Sequence, residues 1–267
     1  MVLFCILAFM ELSLHGTGYF VRNKTKKKIL NKGTNHILVL GESTSYGLML
    51  PNRLTMSYPN LIQKNLNKIH QDKKFEVINL SYPGQTSFSI LDNLELNLLK
   101  YKPRFAILHF GVNDINPALN PISHLSFFTK IKLLKLIYFS YLYFNFQEKI
   151  HEGDHGEFIF YDPDAKDSFT NQEYLQNTMP NYLEVIRLLK KYSVPAVMIN
   201  YYKSPKVVNE LLFKVSQEQN LHLIDLQKNK NADQLMSKDN WHPNKEGHKE
   251  IADHVMEYLI QNKLFLN

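Results

Sequence analysis

Asp239-Asn240-Trp241-His242-Pro243 sets a carboxylate and an imidazole three positions apart, just ahead of the last amphipathic stretch of the chain. Far upstream, Gly41-Glu42-Ser43 follows a short apolar run. A serine hydroxyl is a weak nucleophile and needs a base. An imidazole supplies one when a carboxylate holds its Nδ1–H, fixes the tautomer and stabilises the imidazolium. Together these residues could carry out acyl transfer: Ser43 attacks an acyl carbon, His242 takes its proton, and Asp239 orients His242. The resulting oxyanion needs hydrogen-bond donors. Candidates are the backbone N–H groups of Ser43 and of Gly84 in Tyr82-Pro83-Gly84-Gln85, and the side-chain amide of Asn113 in Gly111-Val112-Asn113-Asp114. Glycine at 84 would let backbone approach a substrate with no Cβ in the way.

Each of these residues also has an ordinary explanation. Ser43 could cap the following segment, and a glycine after a proline is usually turn chemistry. Asn113-Asp114 reads as a turn, and His242 could cap a helix. Their positions on the elements tip the balance. Five apolar runs, His36–Leu40, Phe75–Leu80, Phe105–Phe110, Val194–Tyr201 and Leu221–Leu226, lack polar alternation. Parallel strands covered on both faces read this way. Helical stretches fall between and after them, at about 56–70, 87–100, 173–192, 205–219 and 244–262. In the last, Ile251, Val255, Tyr258 and Leu259 form an apolar stripe, and Pro243 is expected in its first turn. This pattern predicts a doubly wound α/β sandwich. Ligands of such sheets sit outside the carboxyl ends of the strands. Ser43, Gly84 and Asn113 follow the first three strands, and the Asp239/His242 pair follows the last.

These blocks resemble the SGNH (GDSL-type) hydrolase family: Gly41-Glu42-Ser43 for its first block, Gly84 for its second, Gly111-Val112-Asn113-Asp114 for its third and Asp239-Asn240-Trp241-His242-Pro243 for its last. The resemblance covers about residues 36–262. It implies a three-layer α/β/α sandwich around a five-stranded parallel, flavodoxin-like sheet, and hydrolysis of esters through an acyl-enzyme. Ser43 would be the nucleophile, His242 the base and Asp239 its orienting acid, with Ser43, Gly84 and Asn113 forming the oxyanion hole. No metal or organic cofactor is implied. One departure is Glu42, where the family usually has aspartate. Position 45 is serine, so the Gly-x-Ser-x-Gly elbow of α/β-hydrolases is disfavoured. The expected substrate is an O-acyl ester of a saccharide or lipid. The alternatives are O-acyl transfer to a cell-envelope saccharide and a non-catalytic saccharide- or lipid-binding module, which an intact Ser43/Asp239/His242 set argues against.

Two other clusters compete. His151-Glu152-Gly153-Asp154-His155 contains potential metal ligands, but its glycine and polarity suggest a loop without helical register. Glu42 and Asp114 could be read as a glycosidase pair, which would leave Ser43, Asn113 and His242 idle.

A chain of 267 residues, 44% of them hydrophobic, can bury a full core. The expected division is an N-terminal segment, 1–28, and a hydrolase domain, 29–267, with an aromatic-rich insertion at about 115–172. That insertion is far longer than an ordinary βα connection and could be an extra packed helix or a lid beside the site. Residues 1–10 are apolar, and five of the 31 Lys and Arg residues lie in Arg22–Lys28. An apolar segment beside a basic run suggests a membrane anchor next to anionic lipid, an amphipathic helix packed on the body being the alternative. The expected location is membrane-associated with an extracytoplasmic catalytic domain; the positive-inside rule, applied to the basic run, gives the cytoplasmic orientation instead. Net charge is +6, yet no zinc-finger spacing or RNA-binding aromatic signature accompanies it, so no nucleic-acid partner is expected. Cys5 is the only cysteine, which excludes an intrachain disulfide.

Overall fold

The computed structural model of the chain describes residues 34–69, 74–116 and 168–262, the backbone of 150–152 and 158–160, and single positions at 11, 13 and 137. Apart from positions 11 and 13, the expected anchor at 1–28 lies outside the described residues, as does most of the 115–172 insertion, His155 included. Among the described residues, no helix is long and apolar enough to cross a membrane.

The order of elements is β1 (Thr34–Gly41), α1 (Ser43–Tyr46), α2 (Arg53–Met56), α3 (Tyr58–Ile69), β2 (Lys74–Asn79), α4 (Ser87–Tyr101) and β3 (Phe105–His109). A 3-10 turn, Val112–Ile115, follows β3. Then come β4 (Ile150–Glu152), β5 (Phe158–Phe160), α5 (Asn171–Lys191), β6 (Ala196–Ile199), α6 (Lys206–Gln219), β7 (His222–Ile224) and α7 (Lys245–Gln261). The main sheet is parallel throughout, in the order β2-β1-β3-β6-β7. This is the flavodoxin-like doubly wound arrangement.

Alternate residues of each strand enter opposite cores, because successive side chains point to opposite faces. Leu38, Leu40, Ala106, Leu108, Ala196 and Met198 pack against α4, α5 and α6. Ile37, Val39, Phe105, Ile107, Val197 and Ile199 pack against α3 and α7. The helices thus form two outer layers, and strands with both faces buried carry no polar alternation. Each fully buried aliphatic side chain, such as Leu94 on α4 or Ile62 on α3, contributes about 1.5–3 kcal/mol of transfer free energy. Helix ends follow side-chain chemistry as well: Thr86 with Ser89, and Thr170 with Glu173, form capping boxes at the starts of α4 and α5.

The expected strands and helices all occur. The strand expected over Val194–Tyr201 is shorter, Ala196–Ile199: the Asn200 N–H still donates to the Ile224 carbonyl of β7, and from there the chain is held by side-chain amides. Asn200 Oδ1 accepts the Leu226 N–H, and the Tyr201 N–H donates to Asn209 Oδ1. Within the insertion, β4 and β5 form an antiparallel ribbon, Ile150 opposite Phe160, where the sequence suggested a polar loop.

The winding locates a crevice. From β1 the chain passes through α3 to β2, and from β2 through α4 to β3, so successive crossovers lie on opposite faces. The switch point falls between β1 and β3, at their carboxyl ends. Gly41 of β1 is level with His109 of β3, and Val39 with Asn79 of β2. The loops after these three strands therefore emerge side by side.

Candidate active site

Ser43 opens α1 directly after β1 and is 6% exposed. The turn that delivers it is tight. A Cβ on Gly41 would stand 2.1 Å from Ser45 Oγ and 2.8 Å from Ser81 Oγ, so only glycine fits there. Glu42 caps α1 from an extended conformation, its Oε2 accepting the Thr44 N–H at 3.3 Å. Behind α1, Ser45 Oγ and Tyr58 Oη share a hydrogen bond of 2.6 Å, and Asn79 Nδ2 donates to the Ser45 carbonyl at 2.9 Å. The first turn of the site is thereby fastened to α3 and β2.

The second component is the loop from Met236 to Asn244. Met236 and Pro243 form an antiparallel bridge, and the Ser237 N–H donates to the His242 carbonyl at 2.7 Å. Asn240 is left-handed, with φ 55°. Asp239 uses its two oxygens differently. Oδ1 accepts the backbone N–H groups of Trp241 and His242, each at 3.0 Å, while Oδ2 lies 2.6 Å from His242 Nδ1. Burial alone would raise the Asp239 carboxyl; the His242 side chain and the two backbone donors outweigh it and hold the group below its ordinary value. A charged Asp239 accepts from Nδ1–H, which leaves Nε2 unprotonated in the neutral ring. Nε2 lies 2.9 Å from Ser43 Oγ.

Pro243 does not occupy the first turn of α7, as the sequence suggested. It precedes the cap, which is Asn244: Oδ1 accepts the Gly247 N–H at 3.0 Å, and Nδ2 donates to the carbonyls of Gln234 and Met236. Nor does His242 cap the helix. Pro243 is needed in the bridge, where its carbonyl accepts from Ser237 Oγ, so the helix begins two residues later.

Gly84 lies in the turn after β2 with φ 76°, a left-handed backbone that glycine adopts without strain. The Gln85 N–H closes this turn onto the Tyr82 carbonyl, and Gln85 Oε1 accepts the Tyr82 N–H. Asn113 lies in the 3-10 turn after β3, its Nδ2 donating to the Gln85 carbonyl at 3.0 Å. Asp114 points away from the site. Buried at the start of α4, its carboxylate accepts the Ser87 backbone N–H at 3.0 Å and also bonds the Ser87 hydroxyl. Burial pushes Asp114 up to about 7, against these donors. With Asp114 committed to α4 and Glu42 to α1, the two carboxyls do not flank an open groove as a glycosidase pair would.

Two buried histidines back the site. His248 Nδ1 accepts the Tyr58 N–H at 3.2 Å, and His109 packs against Tyr201 with the rings tilted by 41° and their centroids 4.8 Å apart. Burial pushes both down to about 3, so both are neutral rings. A cavity open to solvent is lined by Thr44 beside the serine, His109, Tyr201, and Trp241 and Pro243 on either side of His242.

Sequence reasoning missed Gln85, Asn244 and the contact of Glu42 with Ser43. Asn244 carried a usable signal, an Asn directly before an amphipathic run. Gln85 carried none, since its role depends on a turn and a neighbouring loop.

A sequence profile described as the GDSL-like Lipase/Acylhydrolase family matches residues 39–250. A search of curated proteins gives no significant sequence match. Among solved structures, a psychrotrophic esterase from Pseudoalteromonas sp. superposes with TM-score 0.52 at 18% identity, over 85% of this chain and 97% of that one. A lipase/acylhydrolase from Enterococcus faecalis gives TM-score 0.53 at 16% identity, over 84% and 95% of the two chains. A two-domain esterase active on acetylated mannans gives TM-score 0.55 at 16% identity, over 93% of this chain and 53% of that one. At such identities the likeness is one of fold.

Proposed function

The chain belongs to the GDSL-like lipase/acylhydrolase family and is a hydrolase of ester bonds; from that premise we propose that it cleaves O-acyl esters through an acyl-enzyme on Ser43, with His242 as base and Asp239 orienting it. The observation that carries this reading is the run of contacts from Asp239 Oδ2 to His242 Nδ1 at 2.6 Å and from His242 Nε2 to Ser43 Oγ at 2.9 Å. In the first step the Ser43 proton passes to Nε2 as the Oγ–carbon bond forms. The carbonyl pair moves onto oxygen, where the backbone N–H groups of Ser43 and Gly84 and the Asn113 amide serve as donors. Collapse expels the alcohol, which takes the proton from His242. Water then repeats the sequence and frees Ser43.

A short acyl group on a saccharide is the preferred substrate. One fold neighbour is described as an acetyl xylan esterase, another as active on acetylated mannans. Residues 1–28 serve in this reading as a membrane tether, and a chain lacking them should leave the membrane fraction.

A fluorophosphonate probe should label Ser43, and Ser43→Ala should abolish both labelling and turnover of p-nitrophenyl acetate. Full turnover by Ser43→Ala would remove Ser43 as the nucleophile. A panel of esters of increasing acyl length, assayed on the wild type, tests the substrate reading: preference for long chains would overturn it.

A further inference from the structure

Ser43 Oγ has two close polar neighbours, His242 Nε2 at 2.9 Å and Glu42 Oε2 at 2.7 Å. The hydroxyl has one hydrogen to give. When His242 is the base, Nδ1–H faces Asp239 and Nε2 must receive the serine hydrogen. The contact between Oγ and Oε2 then has no hydrogen from the serine. With a charged Glu42 it would set lone pair against lone pair at 2.7 Å. With the serine hydrogen directed to Nε2, the hydrogen in the Oγ–Oε2 contact must come from the carboxyl.

Resting on the acyl-enzyme reading above, we propose that Glu42 is a further catalytic residue, a neutral carboxylic acid that donates a hydrogen bond to Ser43 Oγ and leaves the serine's own hydrogen to His242. A hydroxyl-bearing Oε2 can accept the Thr44 N–H and donate to Oγ at once. Glu42 is fully buried, and among the described residues its Oε1 has no hydrogen-bond partner. A charge shared with that oxygen would be unsolvated. Among the described residues, the groups acting on Glu42 include no lysine or arginine. They are Ser43 and Thr44 of α1 and His242 of the loop. In the other direction, Glu42 acts on Tyr58 of α3, Asp114 after β3, Tyr182 of α5 and Tyr201 after β6. Burial raises its carboxyl above the ordinary value and outweighs its hydrogen-bond contacts with Ser43 and Thr44.

The donor matters most when Oγ leaves. During acylation Oγ gives its proton to His242 and bonds to carbon, while Glu42 keeps its own proton. During deacylation the proton of the attacking water passes to His242, the carbon–Oγ bond breaks, and Oγ takes that proton back. As the bond breaks, the Glu42 hydrogen bond steadies the charge gathering on Oγ. A charged Glu42 would repel it.

Two measurements test this. The wild-type minus Glu42→Gln infrared difference spectrum at pH 7 should contain a protonated-carboxyl carbonyl band; a carboxylate band in its place overturns the proposal. Pre-steady-state hydrolysis of p-nitrophenyl acetate separates acylation from deacylation. Glu42→Ala should slow deacylation by about tenfold or more and acylation by less, with Glu42→Gln, which keeps an N–H donor, recovering part of the loss. Equal slowing of both steps, or equal loss in the two variants, overturns it. If the alanine variant does not fold, the infrared comparison still decides. Turnover by Ser43→Ala would sink the acyl-enzyme reading itself, whereas an inactive Ser43→Ala without a protonated-carboxyl band would sink only the role of Glu42.

Discussion

Asn113 reaches from the turn after β3 to the loop after β2, where its Nδ2 donates to the Gln85 carbonyl at 3.0 Å. The two strands flank β1 in the sheet, so this bond joins the loops on either side of Ser43. A primary amide has two N–H donors. One is spent on Gln85, which fixes the plane of the group, and in the proposed mechanism the other serves the oxyanion.

Asn113→Ala should therefore lower kcat by about 10²-fold, the usual cost of one oxyanion donor. KM for p-nitrophenyl acetate should change little, because the interaction strengthens as charge develops. Steady-state kinetics check this, and a loss confined to KM would place Asn113 in ground-state binding.

Asp114 gives a pH signature of stability rather than of rate. Its folded value is raised from 3.8 to about 7 by burial, so the folded state holds this proton more tightly than the unfolded chain. The resulting stabilisation is fully present below pH 3.8, shrinks as pH rises across the interval, and is gone above about 7. Asp114→Asn keeps an acceptor for the Ser87 donors but does not titrate. The Tm of the wild type relative to Asp114→Asn should fall from pH 4 to pH 7. A difference independent of pH would show that Asp114 is charged throughout.

The sheet was legible because strands covered on both faces must be apolar at every position, and Ile37–Leu40 and Phe105–Leu108 are. Placing Ser43, Gly84 and Asn113 at strand ends then needed only the rule that α/β sites form there. Less was legible where a role depends on reach. Glu42 looked like a conservative departure, yet its carboxyl touches the serine hydroxyl. Asp114 had no role in the serine reading and stood only as half of a disfavoured glycosidase pair, whereas its carboxylate serves the start of α4. Pro243 looked like a first-turn residue, because helix-start signals do not register a bridge such as Met236–Pro243. In each case the deciding partner is distant in sequence or fixed by backbone geometry.

Asn244 ties the loop that carries His242 to α7, capping the Gly247 N–H and donating to the carbonyls of Met236 in that loop and Gln234 just before it. Loss of an N-cap costs about 1–2 kcal/mol. Asn244→Ala should lower stability by that amount in urea unfolding. It should also lower kcat with little change in KM, since the imidazole is misplaced while the cavity beside it remains. Asn244→Asp, which keeps the cap but not the two donors, should recover most of the stability and less of the rate. Equal recovery of both would mean that the cap alone positions His242.

Gly41 tests how far the nucleophile depends on close packing beneath it. A methyl group there would stand 2.1 Å from Ser45 Oγ and 2.8 Å from Ser81 Oγ. The Ser45 side chain cannot retreat freely, because its hydroxyl is bonded to Tyr58 Oη within the core. Gly41→Ala should therefore destabilise the fold by about 2 kcal/mol, within the usual range for overpacking, and displace α1. Because Ser43 opens α1, the displacement should lengthen the contact from Oγ to His242 Nε2. Fluorophosphonate labelling measures this directly: in folded Gly41→Ala protein it should slow by about tenfold or more, since near-attack geometry is lost with shifts of about 1 Å. Labelling at the wild-type rate would mean that the α1 turn yields elsewhere and leaves the serine in place.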